Sequence, residues 1–115
     1  MGSIDSDTLY GTLNLLVLRA LSTEPLHGLA ISRRIEDASG DVLSIGEGAL
    51  YPALHRMERD GLVEGSWGIS EKKRRAKFYE LTPKGRRRLE REVERWKAHT
   101  EAVGAVLDLR PEWAE

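Results

Sequence analysis

GLVEGSWGISEKKRRAKFYELTP, residues 61–83, is the stretch on which the fold turns. Gly61 suits the left-handed position just past the end of a helix. LVEGSW and KFYELT are short segments with β-branched and aromatic content, and the polar GISEKKRRA between them reads as the long loop of a hairpin. Thr82 then caps, and Pro83 opens, another helix. The loop region holds Lys72, Lys73, Arg74, Arg75 and Lys77, five basic residues within six positions. Taken alone, such a run is more often a solvated surface than a binding one. What flanks it decides.

Upstream the periodicity is helical. A first helix is expected from about Thr8 to Leu21, capped by Asp5, Ser6 or Asp7. Its apolar residues, among them Leu9, Leu13, Leu16, Val17 and Leu18, cover most of its circumference, more than the stripe of a surface helix. A chain of this size hardly encloses such a helix alone, which points to a partner chain. A second helix is expected to start near Pro25 and run to a glycine stop at Gly40, with Leu26, Ala30, Ile31 and Ile35 facing inward. A third, GEGALYPALHRMERD, ends before Gly61. Ser44 and Glu47 have capping-box spacing, which starts it near Ile45 and puts Pro52 inside it, the preferred reading; the alternative is a start near Ala49, with Pro52 in the first turn. Leu50, Leu54 and Met57 form its inner stripe, leaving Glu47, Gly48, Tyr51, His55 and Glu58 to face elsewhere. Downstream, the last helix is expected to reach about Leu109. Its Leu89, Val93, Trp96, Thr100, Val103 and Leu107 alternate steps of four and three, the seam of a helix that packs along another.

Composition bounds the rest. The 115 residues have room for one modest core, and 40% hydrophobic with 32% charged residues describe a soluble globular chain. The absence of cysteine excludes disulfides and thiolate chemistry and fits a reducing cytoplasm. No secretory signal is visible, and the most apolar run, Leu13 to Leu21, contains Asn14 and Arg19, so no membrane span is expected. The net charge of −1 hides a division: residues 71–91 carry ten basic residues against three acidic ones. A separated field of this kind steers a polyanion to one surface.

Three helices followed by a two-stranded ribbon is the order of a winged helix-turn-helix, mainly α with a two-stranded β wing and, here, a long C-terminal helix. In that architecture the third helix enters the major groove of DNA and the hairpin loop lies against the phosphates beside it. The basic loop is then a wing. Residues 1–82 are expected to form the DNA-binding part and 83–115 the dimerisation helix of one compact unit.

The segments YGTLNLLVLRALSTEPLHGLAISRRIE, GALYPALHRMERDGLV and RRAKFYELTPKGRRRL resemble, in order and spacing, the PadR family of bacterial transcriptional regulators. The short single C-terminal helix is similar to the family's compact branch. The resemblance implies a homodimeric repressor that binds a pseudo-palindromic operator in double-stranded DNA, with the first and last helices forming the dimer surface. It also implies, for many members, release of DNA on binding a small, often aromatic, effector. Carried onto this chain, the DNA-binding candidates are Gly48, Ala49, Tyr51, Pro52 and His55 on the third helix with Lys72, Lys73, Arg74, Arg75 and Lys77 on the wing. Leu13, Leu16, Leu89, Val93, Trp96, Val103 and Leu107 are the dimerisation candidates. Trp96 is also the candidate ligand wall. Two positions depart from the family pattern: Leu29 stands where Tyr is usual after His-Gly, and Ala49 where Thr or Ser is usual. Each loses a hydroxyl.

Each candidate has a plainer reading. Tyr51 also suits the rim of the domain, Gly48 the start of a helix, and Trp96 core packing. Phe78 and Tyr79 are strand neighbours, so one of them faces the core. His27, at a turn, reads as a hydrogen-bonding or packing residue. With His55 and His99 it shows no ligand spacing, so neither a metal nor a cofactor is expected. No nucleophile–base motif, phosphate loop or HExxH is present, which argues against catalysis. The competing function is a winged-helix module that binds another protein without reading DNA.

Overall fold

The computed structural model of the chain describes residues 6–114, with side chains from residue 12 onward. Helix α1 covers Ser6–Leu21, strand β1 Leu26–His27, helix α2 Gly28–Ala38 and helix α3 Glu47–Arg59. Strands β2 (Val63–Ile69) and β3 (Arg75–Leu81) form the hairpin, and helix α4 (Pro83–Leu107) follows. This is the expected winged helix-turn-helix with a long C-terminal helix. Helix α1 starts at Ser6, ahead of the expected Thr8, so Ser6 and Asp7 lie within the helix rather than before it, while Asp5 and the side chain of Leu9 lie outside what is described.

Side chains from every element except the outer part of α4 meet in one core. Val17 and Leu18 of α1, Ile31 of α2, and Leu50, Leu54 and Met57 of α3 are at its centre. Val63 and Tyr79 close it from the hairpin. Leu50, Leu54 and Met57 are the stripe expected of the third helix, joined by Ala53.

The second helix begins later than Pro25. Leu26 and His27 are extended and pair with Tyr79 and Phe78, adding β1 to the hairpin so that the sheet order is β1-β3-β2. His27 sets the helix start: its Nδ1 accepts the Ala30 N–H at 3.3 Å. At the other end, Gly40 has φ 60° and Asp41 N–H reaches back to the Glu36 carbonyl, so the glycine stop is where it was expected.

The capping box at the third helix does not form. Gly46 is the N-cap and makes no side-chain bond, while the Ser44 hydroxyl donates instead to Glu36 Oε2 at 3.2 Å. Pro52 does lie inside α3. It removes the bond to the Gly48 carbonyl, and both residues are exposed, so water replaces the missing donor. Gly61, at φ 77°, closes α3, with Gly61 N–H on the Glu58 carbonyl and Leu62 N–H on that of Met57. That double bond is the motif for which a left-handed glycine is favoured.

The hairpin loop is shorter than expected. The ladder continues through Gly68 opposite Ala76 and Ile69 opposite Arg75, leaving only residues 70–74 for the turn. Ser70 braces it: Ser70 N–H donates to the Arg74 carbonyl at 2.8 Å, Lys73 N–H to the Ser70 carbonyl at 2.8 Å, and Arg74 N–H to Ser70 Oγ at 3.3 Å. Beyond the core both faces of a ribbon meet solvent, so its strands extend without any alternation to betray them.

Thr82 caps α4 as expected. Its hydroxyl oxygen accepts the Gly85 N–H at 3.0 Å and donates to the Gly61 carbonyl at 2.6 Å. A side chain at Gly85 would strike the Leu62 carbonyl, so glycine lets the helix start against the core. Leu89 is buried, but the helix then leaves the body, giving a molecule 60 Å long and 21 Å in its thinnest direction. It ends at Leu107, two residues before the expected Leu109.

Candidate nucleic-acid interface

Burying Leu50, Ala53, Leu54 and Met57 turns the opposite face of α3 outward, and Gly48, Ala49, Tyr51, Pro52 and His55 are all exposed on it. Tyr51 leans onto the start of α2. Its ring and hydroxyl lie where a Cβ at Gly28 would be, so only glycine leaves them that seat. Leu29, the residue where the family pattern has Tyr, is 46% exposed beside them.

The wing faces this surface across a groove of about 590 Å³, lined by His27, Gly28, Leu29, Tyr51 and His55 on one side and by Trp67, Lys72, Arg74, Arg75 and Lys77 on the other. Register settles which wing residues look inward. Gly65 opposes Tyr79, Trp67 opposes Lys77 and Ile69 opposes Arg75, so all share the face that Tyr79 buries in the core.

The five cations are not equivalent. Lys77 Nζ lies 3.0 Å from Glu58 Oε1 on α3, and that hydrogen bond raises the ammonium above its ordinary pKa. Its stem crosses β2 at Gly65, where any Cβ would strike it. Arg75 instead lays its guanidinium over the Trp67 ring, 4.3 Å from the centroid. Among the described residues no acid pairs with Arg75, Lys72, Lys73 or Arg74. Burial pushes the neighbouring Tyr79 phenol up, opposed by the Lys77 charge.

Among the described residues Glu71 is the one acid lining the groove. A hydrogen bond from its own backbone N–H, against partial desolvation and with help from His27 and Arg33, holds its carboxyl below the usual range. His27 is buried. With Nδ1 occupied by the helix cap, Nε2 carries the ring proton, and it lies 3.5 Å from Glu71 Oε1. His27 also meets Phe78 edge-on, with centroids 5.3 Å apart. Its part as a local capping and packing residue is therefore as read from the sequence, whereas the Trp67–Arg75 and Lys77–Glu58 pairs were not visible there.

The dimerisation candidates divide. Leu13 and Leu89 are buried in the chain's own core, with Leu16 and Val93 packed at its edge. Trp96, Val103 and Leu107 are 43%, 42% and 77% exposed along the free part of α4. Trp96 tilts against His99, centroids 6.1 Å apart. Val103 and Leu107, with His99, Ala102 and Val106, line a shallow apolar groove of about 340 Å³. Among the described residues no three His, Asp or Glu are grouped to hold a metal, and no helix is long and apolar enough to cross a membrane.

A helix with a free outer face, flanked by a cationic ribbon across one groove, defines the class of winged-helix DNA-binding regulators. Residues 17–91 match the transcriptional regulator PadR-like family, and the chain belongs to it. It is a DNA-binding transcriptional regulator of a non-enzymatic family. Among solved structures it is similar to a PadR-like regulator from Bacillus cereus, at 28% identity and TM-score 0.79 over 91% of this chain and 100% of that one. A PadR family regulator from Eggerthella lenta is 31% identical with TM-score 0.77, covering 90% of this chain and 88% of the other. An uncharacterized 37.1 kDa protein in transposon TN4556 of Streptomyces fradiae is 49% identical over 79 residues, 69% of this chain. The match spans only 21% of that longer protein. The uncharacterized protein X of Lysinibacillus sphaericus is 25% identical over 91% of this chain and 96% of its own length.

Proposed function

We propose that the chain is a homodimeric repressor that blocks transcription by occupying a pseudo-palindromic operator, in the cytoplasm where the DNA lies. The carrying observation is the apolar stripe of Trp96, Val103, Val106 and Leu107 left uncovered on α4. A helix that presents such a stripe beyond its own core buries it against a second helix, and the second copy supplies one. The pair then presents two α3 helices and two wings. Gly48, Ala49, Tyr51, Pro52 and His55 enter the major groove, while Lys72, Lys73, Arg74 and Arg75 follow phosphates. Lys77 is already paired with Glu58 and serves chiefly to hold β3 against α3. A flat aromatic effector lodged beside Trp96, between the two α4 helices, releases the operator by changing the separation of the readers, provided it binds the released form more tightly.

The test is to sequence the genomic fragments retained by the pure protein and to measure its mass by sedimentation. Expected are a dimer and fragments with two inverted half-sites about 10 base pairs apart or a multiple of that spacing. A monomer at micromolar concentration, with retained fragments lacking symmetry, overturns the reading.

A further inference from the structure

Residues 71–91 carry ten basic residues, of which the wing holds only Lys72, Lys73, Arg74, Arg75 and Lys77. The others, Lys84, Arg86, Arg87, Arg88 and Arg91, stand on α4 and are all exposed. Among the described residues none of α4 lines the groove between α3 and the wing. At about 3.6 residues per turn, Lys84, Arg87, Arg88, Arg91 and Arg95 fall within about 100° of one another and extend about 16 Å along the helix. Gly85 and Leu89 turn a different side into the core, and Trp96, Val103 and Leu107 continue that apolar side outward. The cationic stripe is thus left outside both the core and the proposed α4 pair.

Two observations set the stripe apart from an ordinary solvated face. The first turn of α4 holds no acid, and Lys84, Arg86 and Arg87 crowd the end of the helix where the dipole is positive and an acid would stabilise it. The charge is also poorly neutralised. Arg88 and Arg95 share one acid, Glu92, at 3.7 and 3.1 Å, and among the described residues no acid pairs with Arg87 or Arg91. Lys84 Nζ donates to the Asp60 carbonyl at 2.8 Å, which fixes the start of the stripe at the C-terminal end of α3, whereas Gly48 and Tyr51 stand toward the other end. We propose that the stripe is a second duplex-binding surface, on which Arg87, Arg88 and Arg91 hold phosphates of DNA other than the segment between α3 and the wing. This rests on the reading that the groove faces duplex DNA. Phosphate contacts carry no sequence information, so they ask only for cations spaced along a rigid element, and the guanidinium fork matches a phosphate. Those phosphates come either from the flanks of the same duplex, which then bends toward α4, or from a second duplex, which the protein then bridges to the first.

The test loads the full chain at low salt onto an immobilised short duplex of random sequence and then adds a second, labelled duplex. Bridging predicts capture of the label. Wrapping predicts instead that the slope of log affinity against log salt is steeper on a long duplex than on a short one, by about 0.9 for each added phosphate contact. Arg87→Ser with Arg91→Ser, both at exposed positions, should keep the wild-type melting temperature and loading, and reduce the capture several-fold or remove the length dependence. Lys72→Ala with Arg74→Ala should weaken loading and leave capture per loaded chain unchanged. A wild-type chain with neither capture nor length dependence overturns the proposal. So does capture that survives the α4 variant, because the two readers of a dimer then hold both duplexes. Loading that is kept in the wing variant and lost in the α4 variant overturns the groove reading, and with it the description of α4 as a second surface.

Discussion

The wing and the outer half of α4 both extend beyond the core, and both are exposed, yet their chemistry is opposite. At the tip of the wing, what meets solvent is mainly the cations Lys72, Lys73, Arg74 and Arg75, and the backbone beneath is braced at Ser70 so that the turn does not depend on its charged side chains. On α4, what meets solvent includes Trp96, Val103, Val106 and Leu107, on a helix about 37 Å long at about 1.5 Å per residue. Water tolerates the first without a partner. Leaving the second uncovered forgoes about 25 cal/mol for each Å² of apolar surface that a partner would shield. Exposure therefore means availability for a polyanion at one end and an unmet need for an apolar partner at the other.

The strongest way to break this contrast is to put charge on the apolar side. Trp96→Asp costs the isolated chain little, because the ring is 43% exposed there, but it places a carboxylate in the seam of the proposed pair. Sedimentation should show a monomer at micromolar concentration, with operator affinity lower by about 10² or more as the two half-sites lose their linkage. A Trp96→Asp chain that remained dimeric would move the interface elsewhere.

A gentler pair of changes separates the wing from α3. Lys72→Ala with Arg74→Ala should weaken binding to every duplex alike and flatten the slope of log affinity against log salt by about 0.9 for each phosphate no longer neutralised. Tyr51→Ala should instead reduce the preference for operator over random duplex, by about 1–3 kcal/mol, with little change in slope. Titrations at several salt concentrations distinguish the two. Equal slopes for the wing variant and the wild type would make the basic turn a solvated surface.

Which of these features the sequence discloses follows from how local they are. The stripe of Leu50, Leu54 and Met57, the stops at Gly40 and Gly61 and the Thr82-Pro83 start depend on neighbours a few residues away, and all are legible. The capping box at Ser44 fails because α3 starts later, with Gly46 as its N-cap, and the Ser44 hydroxyl is turned to Glu36 of another helix. Strand β1 is hidden because two residues show no periodicity, and Pro25 suits a helix start equally well. The outward face of α3 can be read from the inward one. The division of labour between Arg75 and Lys77 cannot, because it depends on strand register, and a one-residue slip would exchange every inward residue of the wing for an outward one.

The smallest expected effect tests whether Glu71, the acid that lines the groove, is part of that arrangement. Glu71 stands among Lys72, Arg74 and Arg75, near the buried His27 Nε2, and its carboxyl is held below the usual range, first by its own backbone N–H and then by His27 and Arg33. A carboxyl depressed in the folded state adds stability above its unfolded value, near 4.5, and loses it as pH falls through the lower folded value. Glu71→Gln keeps the shape of the side chain beside His27 but removes the titration. Melting temperatures of the two chains should differ slightly at neutral pH and converge as the pH is lowered below about 4.5, the wild type losing more. The same variant removes the one acid that lines the groove among the described residues, so its affinity for any duplex should rise modestly and its salt slope should steepen. If the melting curves kept a constant offset through the acid range, Glu71 would be a bystander on the wing. Its approach to His27 would then have no part in holding the cationic turn toward α2.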